Sequence, residues 1–299
     1  MADLNLHGAI PPLVTPMHPD GSLHLERVPV LVDYMLARGV HGIFTAGSQG
    51  EAFALDADER LAMLEATLAA VNGRVPVIAG TGAITTRDAV AMSRQAEQAG
   101  ASAIAVLTPF FITPTQAEML AHFHAVAEVV TLPVLGYSNP GRTGGVRLLP
   151  ETLAQLAAEI PHFVGVKDSS GDLTETAAII RTCPPDFKVF VGRDTLIYAA
   201  LSHGAAGTVA LTANVVPQYV SGIYDAFQSG DLAHALELQR KVATLRERLP
   251  QIGSYPAQVK AALALLGVSA GPPRLPIQPL DEAAQAELRI LLRSIDLEV

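Results

Sequence analysis

The chain has 299 residues, 29 acidic and 20 basic, for a formal net charge of −9. Apolar residues make up 49%, enough core-forming material to exclude disorder, while the acidic balance excludes a nucleic-acid footprint and offers nothing to anionic membrane surfaces. Length allows two ordinary domains or one large α/β barrel, since barrels run to about 250 residues.

Eight short apolar runs follow one another: Gly8–Thr15, Gly42–Thr45, Pro76–Gly80, Ala103–Thr108, Pro133–Tyr137, Phe163–Lys167, Lys188–Gly192 and Gly207–Leu211. They are continuous rather than alternating, the pattern of parallel strands covered on both faces. Helical segments lie between them, among them Asp56–Val71, Thr86–Gln98, Pro114–Val130, Leu148–Glu159 and Pro217–Gln228. Asp56 with its following acids, Pro114 and Pro217 read as helix starts, and Gly39, Gly73 and Gly100 as stops. Eight strand–helix units make a (β/α)8 barrel. An open doubly wound sheet lacks its phosphate fingerprint here, because Gly80-Thr-Gly82-Ala-Ile-Thr85 has no third glycine. Three more helices follow, Asp231–Arg248, Pro256–Leu266 and Asp281–Arg293, with a proline-rich loop at Ser269–Pro279. The expected division is a catalytic barrel over residues 1–228 and a C-terminal helical extension over 229–299.

Thr195–Tyr224 carries no Asp, Glu, Lys or Arg, yet Asn214, Pro217 and its glycines break it, so it reads as a buried passage and not a membrane span. Met1-Ala-Asp-Leu-Asn5 has neither the basic segment nor the apolar run of a leader. Cys183 is the one cysteine, which excludes an intrachain disulfide and a thiolate metal cluster and points to a reducing, cytoplasmic setting. It precedes Pro184-Pro185 and reads as inert.

Active sites of such barrels sit at the C-terminal ends of the strands. Lys167 closes the run Phe163-Val-Gly-Val, so its side chain belongs at the barrel mouth. Burial there disfavours the ammonium, and a free amine can attack a ketone to form a Schiff base. The structural alternative is a lysine reaching solvent or paired with Asp168. Tyr137, one strand away, is placed to relay protons, unless it is a core tyrosine. Gly47-Ser48-Gln49-Gly50 offers backbone N–H groups in a tight turn, a cradle for a carboxylate. Arg142, in a Pro-Gly loop, is either a bidentate carboxylate clamp or a surface arginine. A metal-dependent mechanism finds no support in the nine histidines: His122 and His124 are two apart on a helix and face different ways. Gly192-Arg193-Asp194 is a poor phosphate nest because of its adjacent acid.

Together these residues resemble the dihydrodipicolinate synthase / N-acetylneuraminate lyase family of Schiff-base aldolases. The resemblance rests on Gly47-Ser-Gln-Gly-Glu51, Tyr137-Ser-Asn-Pro140 and Gly165-Val-Lys-Asp168 in order on the right strands. It is reinforced by Pro12-Leu-Val-Thr-Pro16, Ala79-Gly-Thr-Gly82, Thr113-Pro-Thr-Gln116, Arg142-Thr-Gly144 and Thr212-Ala-Asn214. It implies a class I lyase that needs no metal or cofactor and handles pyruvate. Lys167 would form the imine, Tyr137 would shuttle protons with Ser48, and Gly47, Ser48 and Gln49 would bind the pyruvate carboxylate. Val209 would turn its backbone carbonyl to the substrate. The implied assembly is a homotetramer, a dimer of dimers.

Departures bear on the second substrate. Arg142 resembles the arginine that holds aspartate semialdehyde in the synthases. Phe111, however, stands where they carry a tyrosine that reaches across the dimer, and Gln49 replaces their second threonine. Ala57, Arg60 and Ile84 offer little to a feedback lysine. The expectation is therefore an acidic aldehyde partner. A 4-hydroxy-2-oxoglutarate or 2-keto-3-deoxy sugar acid aldolase fits, as does a dehydratase of such acids. The alternatives are 4-hydroxy-tetrahydrodipicolinate synthase, condensing pyruvate with aspartate semialdehyde, and a non-catalytic pyruvate-binding relative.

Overall fold

The computed structural model describes residues 6–299; the leader-free start read at Met1–Asn5 lies outside them. Eight strands form one sheet: β1 (Gly8–Ala9), β2 (Ile43–Thr45), β3 (Val77–Gly80), β4 (Ala103–Leu107), β5 (Val134–Ser138), β6 (Phe163–Asp168), β7 (Lys188–Val191) and β8 (Gly207–Thr208). Each pairs in parallel with its sequence neighbour from β2 to β8, and β1 pairs with β8. A parallel bridge between Pro12 and Phe44 joins β1 to β2 and closes the barrel. The (β/α)8 fold is thus as the sequence reads.

The barrel helices are α1 (Val28–Leu36), α2 (Ala57–Val71), α3 (Thr86–Ala99), α4 (Gln116–Ala127), α5 (Pro150–Glu159), α6 (Leu173–Thr182), α7 (Ile197–Ser202) and α8 (Pro217–Ser229). Capping boxes start α2 at Asp56 with Glu59 and α4 at Thr115 with Glu118, each satisfying two free backbone donors. Gly100 stops α3 at φ +92, a left-handed position that glycine adopts without a Cβ penalty. Some boundaries move for local reasons. β1 is short because Pro11 and Pro12 have no N–H to give a ladder. β8 yields to a tight turn at Leu211–Asn214. Pro114 lies ahead of the Thr115 cap, outside α4.

Two cores result. Ile10, Phe44, Ile78, Ala105, Leu135 and Phe190 fill the barrel, and a larger apolar layer lies between strands and helices. Beyond α8 run α9 (Leu232–Ile252), α10 (Ala257–Leu265) and α11 (Glu282–Arg293). α9 packs on α7 and α8, and α10 and α11 pack on α9. α9 runs past the expected Arg248 end, through Pro250. Among the described residues no helix is long and apolar enough to cross a membrane, and Thr195–Tyr224 folds as short helices and turns around β8. Cys183 is buried at the end of α6, and burial pushes its thiol up to about 11, consistent with an inert role.

Candidate active site

Lys167 lies on β6 directly beside Tyr137 of β5, as register partners. A bulge makes them so. Phe163 pairs with Val134 but Gly165 pairs with Leu135, leaving Val164 as an extra residue on β6. Register neighbours in a parallel pair point to the same face, here the barrel mouth. Lys167 is only 5% exposed, and its Nζ lies 4.1 Å from the centroid of the Tyr137 ring and 4.6 Å from that of Phe44. Asp168, the alternative partner, turns away. Its carboxylate accepts the Ser170 N–H at 2.9 Å and the Thr176 hydroxyl at 2.6 Å.

The Tyr137 hydroxyl lies 3.4 Å from Ser48 Oγ and accepts from Asn139 Nδ2 at 2.9 Å. Burial pushes this phenol up, but the nearby Lys167 charge and the hydrogen bonds from Ser48, Asn139 and Lys167 outweigh it and hold it below its ordinary value. That direction suits a group that gives and takes a proton next to an amine.

Ser48 sits in a loop bracketed by two non-glycine residues in the left-handed region, Ala46 (φ 53) and Glu51 (φ 56). Such conformations cost about 1–3 kcal/mol each and persist only where surroundings enforce them. Gly50 is needed for close approach, because a Cβ there would lie 2.8 Å from the Leu13 carbonyl oxygen. Glu51 supplies the enforcement. Its fully buried carboxylate meets Lys260 Nζ of α10 at 2.6 Å and accepts the Arg274 N–H at 2.8 Å. Lys260 also donates to the Pro272 carbonyl at 2.8 Å; burial holds its ammonium below the usual lysine value, opposed by Glu51. The Arg274 guanidinium grips both oxygens of Glu59, at 2.6 and 2.7 Å. The loop is thus bolted to the C-terminal extension. Within it, Gln49 is 6% exposed, and its Nε2 has no hydrogen-bond partner among the described residues.

Lys167, Tyr137, Ser48, Gln49, Arg142 and Val209 all border one cavity of about 350 Å³. Gly47 borders an adjoining cavity of about 370 Å³ that shares Ser48, Tyr137 and Arg142 with the first. The seven residues read from the sequence as catalytic or substrate-binding therefore all border the two cavities at the mouth. Arg142 lies over the Tyr255 ring at 5.6 Å. Val209 gives its own N–H to the Val191 carbonyl at 3.0 Å. The sequence reading missed Asn139, Arg193, Arg246 and Tyr255, which line the same cavity. Asn139 stood within a quoted motif, and Arg193 within the rejected nest. Arg246 and Tyr255 come from α9 and the turn after it, where nothing marks them in the sequence.

Other expectations find their places. Phe111 is 94% exposed on the loop after β4, with φ 72, and brings no hydroxyl to Tyr137. The Arg60 guanidinium is spent on the Ala52 and Gly82 carbonyls. His122 is buried against Thr86 Oγ1, while His124 meets Glu159 at the surface. Among the described residues, His18, His24 and Glu26 have a spacing that could hold a metal, and none of them lines either mouth cavity.

The profile of the Dihydrodipicolinate synthetase family matches residues 5–295. The 4-hydroxy-tetrahydrodipicolinate synthase of Methanoculleus marisnigri is 39% identical over 288 residues, spanning 95% of this chain and 98% of that protein. The crystal structure of a dihydrodipicolinate synthase from Bacillus anthracis superposes with a TM-score of 0.93 at 32% identity, covering 99% of this chain and 100% of the other. A prophage protein of the same family from E. coli K12, solved in complex with pyruvate, gives 0.92 at 32% identity over 98% and 99% of the two chains.

Proposed function

The chain belongs to the dihydrodipicolinate synthetase family, metal-independent class I enzymes that make or break a carbon–carbon bond, and from that premise we propose that it works on pyruvate through an imine at Lys167. It either condenses pyruvate with an acidic aldehyde or releases pyruvate from a 2-oxo acid, such as 4-hydroxy-2-oxoglutarate or a 2-keto-3-deoxy sugar acid. The observation that carries the reading is the placement of the buried Lys167 amine beside the Tyr137 hydroxyl, with Asp168 turned away.

In the condensing direction, Lys167 Nζ bonds to C2 of pyruvate, and the C2 oxygen leaves as water after taking protons by way of Tyr137. The iminium draws electrons from C3, which loses a proton to give an enamine. The enamine carbon bonds to the aldehyde carbon, and water then cleaves the imine to return the lysine. The Ser48–Gln49 loop holds the pyruvate carboxylate through backbone N–H groups, the Ser48 hydroxyl and the unpaired Gln49 amide. Arg142 takes a carboxylate on the partner. Dehydration of a related acid uses the same enamine, formed when C3 loses a proton, whose electrons expel the C4 hydroxyl as water once it is protonated.

Borohydride reduction with pyruvate, followed by peptide mapping, tests this reading. A reduced pyruvate adduct on Lys167 is expected, and the chain's four lysines make the assignment unambiguous. Folded protein without that adduct would sink the reading and favour a binding role. The names of the relatives favour a second reading, 4-hydroxy-tetrahydrodipicolinate synthase, which predicts faster turnover with aspartate semialdehyde than with glyoxylate. A cytoplasmic location and a dimer of dimers complete the proposal. Exposed apolar side chains such as Phe111 and its neighbour Ile112 are of the kind such an assembly would cover. The division into a barrel unit, 1–228, and an extension, 229–299, is functional as well, since the extension lends Arg246 and Tyr255 to the cavity.

A further inference from the structure

Arg193 ends β7 in Gly192-Arg193-Asp194, where the adjacent acid argues against an anion site. The structure removes that objection. Asp194 is fully buried, one carboxylate oxygen accepting the Thr212 N–H at 2.7 Å and the other lying 3.5 Å from Arg246 Nε. Arg246 also donates to the Tyr255 hydroxyl. The acid is thus matched within the wall. Arg193 and Arg142 are not matched. Both are exposed to the cavity, and among the described residues neither guanidinium makes a hydrogen bond or ion pair.

Four cationic side chains, those of Lys167, Arg142, Arg193 and Arg246, therefore face a single carboxylate around one cavity, in a chain with a net charge of −9. Cations that share a partly enclosed space without a counter-ion repel one another, and a bound anion relieves the repulsion. Guanidinium forks match carboxylate and phosphate oxygens in bidentate geometry. Building on the pyruvate reading, we infer that Arg193 and Arg142 together form an anion subsite beside the Schiff-base lysine, and that the substrate portion seated there is doubly anionic, with two carboxylates or one phosphate monoester. An acceptor that carries an ammonium beside its carboxylate, as aspartate semialdehyde does, meets the wrong sign there.

The test is made on the enzyme reduced by borohydride with pyruvate, whose pyruvate subsite is already filled. Malonate, inorganic phosphate and acetate are titrated by calorimetry. Malonate or phosphate should bind at least about tenfold more tightly than acetate, the size of one charge-assisted contact. Arg193→Ala should remove that preference, and Arg193→Lys should keep part of it. Whichever dianion binds better separates a dicarboxylate from a phosphate ester. An unchanged malonate-to-acetate ratio in Arg193→Ala overturns the subsite. If no adduct forms on Lys167, the pyruvate reading fails, and the same titrations on the unmodified protein still decide the subsite.

Discussion

The two halves of the proposed pyruvate site are built by different means. The end of β6 places Lys167 by strand register alone, inside a ladder paired on both sides, and it needs nothing from beyond the barrel. The Gly47–Glu51 loop has no ladder. It keeps two left-handed residues only because Glu51 is anchored to Lys260 and Arg274 of the extension. In the proposed mechanism the chemistry therefore rests on the sheet, and carboxylate recognition on a contact between remote parts of the chain.

That contrast can be broken at graded cost. The largest effect is expected from Lys167→Ala, which should abolish the borohydride adduct and lower turnover by at least about 10⁴-fold while leaving the thermal midpoint near wild type. Next comes Lys260→Met, which leaves a buried carboxylate unpaired and should cost about 3 kcal/mol in urea unfolding. It should also raise KM for pyruvate more than it lowers kcat, whereas Glu51→Gln with Lys260→Met should recover part of the stability. If Lys260→Met leaves both readouts unchanged, the loop supports itself and the contrast collapses. Tyr137→Phe should slow imine trapping by about 10²-fold without abolishing it, a loss in proton transfer and not in the nucleophile.

The smallest change is Glu59→Gln, at about 1 kcal/mol, because the Arg274–Glu59 link is partly solvated. Its hydrogen bonds with Arg274 hold Glu59 below the usual carboxylate value. A depressed folded-state value means the stabilisation is complete above the unfolded value of about 4.3 and is lost as pH falls through the folded one. Wild type and Glu59→Gln should therefore differ at pH 7 and converge in acid unfolding experiments. A constant difference across that range would remove the ionic Arg274–Glu59 link from the set of anchors.

How much was legible follows the same line. Continuous apolar runs announced every strand, and Lys167, Tyr137 and Ser48 could be read from strand ends because barrel geometry sends those side chains to the mouth. The helix start at Asp56 was visible because its acidic partner Glu59 lies three residues on. The Val164 bulge was not, since an unbroken apolar run carries no information on register. Nor were the partners of Glu51, or the arrival of Arg246 and Tyr255. These depend on where helices dock after the barrel closes, and local pattern does not encode docking. Arg193 was seen and set aside, because the sequence shows the acid at its side but not the arginine that neutralises it.

The bulge also governs what this strand tolerates over time. Replacing Val164 with another apolar residue leaves the register intact, but a ladder without the bulge, with Val164 paired to Leu135, would carry Lys167 one step along its neighbour, opposite Ser138 instead of Tyr137. Eight strands and their helices could persist, with an unaltered circular dichroism spectrum, around a mouth that no longer traps pyruvate. Here the register of the strand, and not only its composition, is under functional constraint.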